Sequence, residues 1–199
     1  MGIKFENEWI EDAVRRVLNK PEGDIEAEDM AKIKYLRIGG NYDDDFEIEL
    51  STNEPPKPFI DTDGGDEWIC CITGDDIKRF FVEKRDKLNS PFMFGFDYEE
   101  SDYDWDDATE KWEPYKESFV KGGFSDHANY ESQLGQVYKD IIHFKDVEVL
   151  RIRYLEMPDY TVFSEMKNLR ALELISVTFG AADGCECLES LEQLSMWLD

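Results

Sequence analysis

Asp61, Asp63 and Asp66 in the stretch DTDGGDEW crowd carboxylates around two glycines, the composition of a calcium loop. An EF-hand loop needs acids at its first and third positions, Gly at the sixth and Glu at the twelfth. Counted from Asp61, those last two places hold Asp66 and Ile72, so that spacing fails. A Gly-rich turn is expected there, with a looser carboxylate site as the competing reading. Ser125, Asp126 and His127 supply three residue types of a hydrolase triad, but consecutive residues cannot take its geometry and no nucleophile elbow surrounds the serine. Cys70, Cys71, Cys185 and Cys187 are spaced Cys-Cys and Cys-x-Cys, poor for zinc beside paired C-x-x-C motifs, and only two histidines could assist. Reduced thiols are therefore expected. IGGN and KGGF are not phosphate-binding loops, and His143, next to an apolar core position, reads as structural. No catalytic residue, metal site or cofactor is assigned.

The elements that would carry a function follow from composition and period. The 199 residues suit one domain; at 41% hydrophobic and 14% aromatic they can bury a core. The formal charge of −25 argues against nucleic acid and anionic membranes, both of which need Lys and Arg. It favours a basic partner, or simply high solubility. No apolar run suggests a membrane span. MGIKFENEWIEDAVRR lacks the apolar core of a secretory signal, and Glu6 stands where a myristoylation signal needs Ser or Thr. A cytoplasmic location is expected.

The C-terminal third repeats every 22 residues. Ile141, Phe144, Val147, Leu150 and Ile152 return as Phe163, Met166, Leu169, Leu172 and Leu174, then as Cys185, Leu188, Leu191, Leu194 and Met196. Leu-x-Leu is a period of two, so Leu150 and Ile152 share one face of a strand while Arg151 and Arg153 share the other. The remaining apolar positions lie on a return arm. One copy cannot bury its own apolar side, so copies must stack.

Met30, Ile33, Leu36, Ile38 and Asn41 spell the same pattern, and IKYLRIGGN is a full L-x-x-L-x-L-x-x-N. In these residues the chain resembles bacterial leucine-rich repeat proteins of the internalin-like 22-residue type. The segment before them, where Trp9, Ala13, Val14 and Val17-Leu18 recur at helical spacing, resembles the helical cap that opens such repeats. The resemblance implies an α/β leucine-rich repeat solenoid with a short parallel sheet, an N-terminal helical cap and a large irregular insert. Residues 1–45 would form the cap and first repeat, 46–140 an irregular acidic α/β insert within the same domain, and 141–199 the repeats. The Asn slot of the later copies holds Leu155 and Val177, so their turns must be satisfied by other groups or by water.

Within the insert, FEIEL and EWICCIT read as strands, GDDIKRFFVEKRDKL as a helix and PFMFGF as a further strand. DYEESDYDWDDATEKWEPYKESF alternates acids with Tyr and Trp: a solvated loop, a recognition surface for a basic partner, or a disordered segment. Leu134, Val137, Ile141 and Phe144 are spaced helically.

What remains is a surface. The strand positions between the inward leucines hold Tyr35, Arg37, Arg151, Arg153, Glu173 and Trp197, and these are the expected partner-binding residues. MWLD follows a repeat strand with no polar cap, so self-association or docking through that edge is expected. The first functional expectation is a non-enzymatic protein-interaction module of the leucine-rich repeat class, using the concave strand face and the acidic insert. The second is an acidic intracellular inhibitor or immunity protein that neutralises a basic toxin or nuclease. A metal-binding or enzymatic role for the middle segment is the third.

Overall fold

The computed structural model describes residues 2–40, 46–55, 70–73, 77, 120–123 and 137–197; at 46, 70–73, 120–123 and 197 it describes the backbone alone. The stretches at 61–68, 91–119 and 125–127, Asn41, and all of the expected helix at 74–88 except Ile77, lie outside the described residues.

Helix α1 (Glu8–Val17) starts where Asn7 accepts the N–H groups of Trp9 and Ile10 at 3.0 and 3.2 Å. Glu8 and Glu11 occupy its first turn and Arg15 and Arg16 its last, matching the helix dipole at both ends. Its buried side presents Ile10, Ala13 and Val14 to the core. The short α2 (Ala27–Met30) is tied to the turn that follows α1 by Lys20, which reaches Asp29, and delivers Met30 and Ile33 into the same core.

The strands are β1 (Tyr35–Gly40), β2 (Phe46–Ser51), β3 (Cys70–Thr73), β4 (Val120–Gly123), β5 (Val149–Arg153), β6 (Glu156–Met157), β7 (Ala171–Ile175), β8 (Thr178–Phe179) and β9 (Gln193–Trp197). One sheet has the order β3-β9-β7-β5-β1-β2-β4, and β6 pairs with β8 in a small second sheet. Within the first, β1, β5, β7 and β9 run parallel. The 22-residue recurrence appears there as register: Leu36, Leu150, Leu172 and Leu194 stand side by side, as do Ile38, Ile152, Leu174 and Met196. All eight lie in the core with Phe144, Val147, Met166, Leu169, Leu188 and Leu191 from the return arms. Those arms hold helix α3 (Thr161–Ser164) and a 3₁₀ helix (Cys185–Ser190), and Cys185 is a buried core residue.

The expected leucine-rich repeat solenoid with a purely parallel sheet is corrected by this topology. The sheet is mixed, with few helices, and its body β2-β1-β5-β7-β9 is antiparallel at the β2 edge. The reason is the connection after β1. Five residues separate Gly40 from Phe46, too few for the dozen or more that a parallel crossover needs, so the chain reverses into a hairpin. The short strands β4, beside β2, and β3, beside β9, extend the sheet outward, both antiparallel. Thus β2, β3 and β4, all drawn from 46–140, pair into the same sheet as the repeats.

The turns lacking Asn are closed by backbone. Tyr154 and Ser176, 22 residues apart, both adopt positive φ (53° and 48°) just after β5 and β7. From there Tyr154 N–H donates to the Ile175 carbonyl at 2.9 Å and Thr178 N–H to that of Leu155 at 3.1 Å. Leu155 and Val177 are left free to bury their side chains in the core.

Candidate functional site

Pleating sends alternate residues of each strand to opposite faces. Opposite the leucine face stand Tyr35 and Arg37 of β1, Val149, Arg151 and Arg153 of β5, Ala171, Glu173 and Ile175 of β7, and Gln193 and Ser195 of β9. Antiparallel pairing adds Glu47 and Glu49 of β2, which lie opposite Gly39 and Arg37. The expected site residues Tyr35, Arg37, Arg151, Arg153 and Glu173 therefore share one face, and Trp197 holds the place beside Ile175 in register.

That face is an ionic network. Arg151 grips Glu173 with two bonds, Nε to Oε1 at 2.9 Å and Nη2 to Oε2 at 2.8 Å. Arg153 donates to the same Oε1 through Nε at 3.0 Å and Nη2 at 2.9 Å. Arg37 reaches Glu49 at 3.0 Å and Glu47 at 3.1 Å. The Tyr35 hydroxyl lies beside the Arg151 guanidinium. Three guanidiniums thus meet three carboxylates.

The cluster is also covered. Glu173 is 1% exposed, Arg151 7% and Tyr35 0%. The neighbouring Val149, Ala171 and Ser195 are fully buried, and the Ser195 hydroxyl has no hydrogen-bond partner among the described residues. Arg37 and Arg153 retain part of their surface, as do Glu47 and Glu49 to a slightly smaller extent.

Burial and charge act against each other here. Burial alone would raise the Glu173 carboxyl; Arg151 and Arg153 outweigh it and hold the group below its ordinary range. Burial alone would lower Arg151, but Glu173 and Tyr35 push it well above the usual value. Burial raises Tyr35, with Arg151 opposing. Glu173 is consequently a fixed acceptor and Arg151 a fixed donor, and neither exchanges a proton near neutral pH. The network can hold strands in register and present Arg37 and Arg153 at its rim.

A second buried charge escaped the sequence reading. Asp140, fully buried in the helical turn 137–141, accepts the N–H groups of Glu6 at 2.9 Å and Asn7 at 2.8 Å, at the start of α1. His143 Nε2 lies 4.0 Å from its Oδ1 and packs edge-on against Phe5. Burial raises the Asp140 carboxyl, opposed by the two backbone bonds and His143. Glu47 and Glu49 were missed as partners too, although their alternation with Ile48 and Leu50 signalled a shared polar face.

Cys187 is pushed up to about 11 by burial and the neighbouring Cys185, so it is a poor nucleophile. Among the described residues no group of three or more His, Cys, Asp or Glu is placed to hold a metal ion, and no helix is long and apolar enough to cross a membrane. Comparison with protein-family models, curated proteins and solved structures finds no significant match for the chain.

Proposed function

We propose that the chain is a non-enzymatic protein-binding module whose partner is a basic protein. The observation that carries this reading is where the charge goes. The three arginines of the sheet face are neutralised inside the molecule, while carboxylates such as Glu8, Glu22, Asp24, Glu28, Glu156 and Glu189 stand exposed. With a formal charge of −25, the outward field is strongly negative. Such a field attracts cationic partners over a distance and speeds their encounter. The rim arginines Arg37 and Arg153 then add a local contact to a long-range attraction.

The same charge supports a narrower second reading, an inhibitor that masks the cationic surface of a toxin or nuclease. A cytoplasmic address goes with both. The test is affinity capture from the native cell at rising salt, with the retained proteins identified by mass spectrometry. Basic proteins released steeply between low and physiological salt are expected. Retention of neutral or acidic proteins, indifferent to salt, would defeat the proposal. Capture repeated with Arg37→Ala and Arg153→Ala measures what the sheet face contributes, and a nuclease or toxin among the captured proteins would single out the inhibitor.

A further inference from the structure

The parallel strands are nearly interchangeable in their apolar spelling. Leu150, Leu172 and Leu194 fill one position, and Ile152, Leu174 and Met196 the next, all in one core. Cores accept any hydrophobic residue of about the right size, so these positions do not say whether β7 or β9 belongs beside β5. Nor do they forbid a slip of two residues, which keeps every apolar side chain on its own face.

The polar face is not interchangeable. In register, Arg151 meets Glu173 on β7. Were β9 in that place, Arg151 would meet Ser195 and Arg153 would meet Trp197, by the same register that β9 keeps with β7. A slip of two residues that sets Arg151 against Ile175 carries Arg153 two steps beyond Glu173, whereas one that sets Arg151 against Ala171 brings Arg153 opposite Glu173 and keeps Arg151 one step away. The exchange with β9 and the slip toward Ile175 each bury a guanidinium without a carboxylate, which is far more unfavourable than a poorly fitted leucine. The rim ladder Glu148–Arg170–Glu192 also spans neighbouring strands, but it is more open to solvent, and Arg170 finds a glutamate on either side. It discriminates weakly.

We propose that the buried Arg151–Glu173–Arg153 cluster is a register key. It selects β7 as the neighbour of β5, and it rejects β9 and the slip toward Ile175, pairings that the apolar core would tolerate. Its contribution is to uniqueness of the fold, because a buried ion cluster replaced by apolar residues of similar size commonly leaves stability unchanged or higher.

The test replaces the cluster with apolar residues of similar length, Arg151→Met, Arg153→Met and Glu173→Leu together. Urea unfolding monitored by circular dichroism reports folding, and two-dimensional amide spectra with native mass spectrometry report uniqueness. The expected variant still unfolds cooperatively, but its single set of β5 and β7 resonances splits. A second form would exceed about a tenth of the molecules, since the key's preference has gone. One resonance set with unchanged strand pairing would overturn the proposal. Should the triple variant fail to fold, the inverted cluster Arg151→Glu, Arg153→Glu and Glu173→Arg decides. A single folded form there upholds complementarity as the selecting feature, and failure of that variant as well rejects it.

Discussion

Glu173 carries more than its share of the sheet face, because two guanidiniums close on its single carboxylate. Glu173→Gln keeps the shape and removes the charge, leaving Arg151 buried beside a neutral amide. Urea denaturation should show a loss of about 3–5 kcal/mol, the usual cost of orphaning a buried ion. Removing the more open Arg170 should cost no more than about 1 kcal/mol. The two buried carboxylates also respond oppositely to acid. The Glu173 group is depressed, so its contribution is complete above its ordinary value of 4.5 and disappears as pH falls through the folded value below. The Asp140 group is raised from 3.8, so the folded state takes up its proton first and gains stability as pH falls through that raised value. Melting curves from neutral pH down to about pH 4 should therefore show Asp140→Asn losing part of an acid-side rise that the native chain displays. Parallel curves for the two proteins would refute this. The sequence made the shared face of Arg151, Arg153 and Glu173 legible through period two alone. Their mutual neutralisation was not legible, because it depends on which strands become neighbours, and Asp140 carries no local pattern that separates it from the other acids of the chain.

Among the elements, the leucine strands were readable because their inward positions recur, and α1 because its cap and spacing agree. The sheet's antiparallel part was less so. FEIEL announced a strand but not its direction, which the five-residue connection after Gly40 decides. VKGG announced nothing, since two glycines of four give no alternation and little strand preference, and β4 forms only because β2 offers it an edge. Gly39 marks where two elements nearly collide. It sits at φ +144°, and a Cβ there would lie 1.8 Å from the Arg153 carbonyl oxygen of β5. Gly39→Ala should cost at least about 1–3 kcal/mol from the backbone conformation alone. Hydrogen exchange should then rise at the β1–β5 junction, and an unchanged exchange pattern would show that β5 can retreat without penalty.

For the whole molecule, the charge of −25 is both a means of attraction and a source of strain. Like charges on one compact body repel, and added salt screens them. Raising NaCl from low to physiological concentration should lift the melting midpoint by about 2–4 °C, the shift that roughly 1 kcal/mol makes in a chain of this size. A fall, measured by scanning calorimetry, would mean that the internal ion pairs outweigh the repulsion. Composition disclosed this balance at once, whereas the mixed sheet stayed hidden: three of its strands come from a stretch with no recurring pattern.

The outer flank of β9 bears on how the molecule is made. It is occupied by β3, with Thr73 opposite Gln193, so the strand translated late sits one place inside the sheet and the one translated early lies outside it. On the ribosome, Cys70–Thr73 must wait through about 120 residues of further synthesis before a partner emerges. Assembly from the N-terminus onward therefore cannot finish this edge, and the nascent chain carries an unmatched segment that a chaperone, or a neighbouring polysome, is free to meet first.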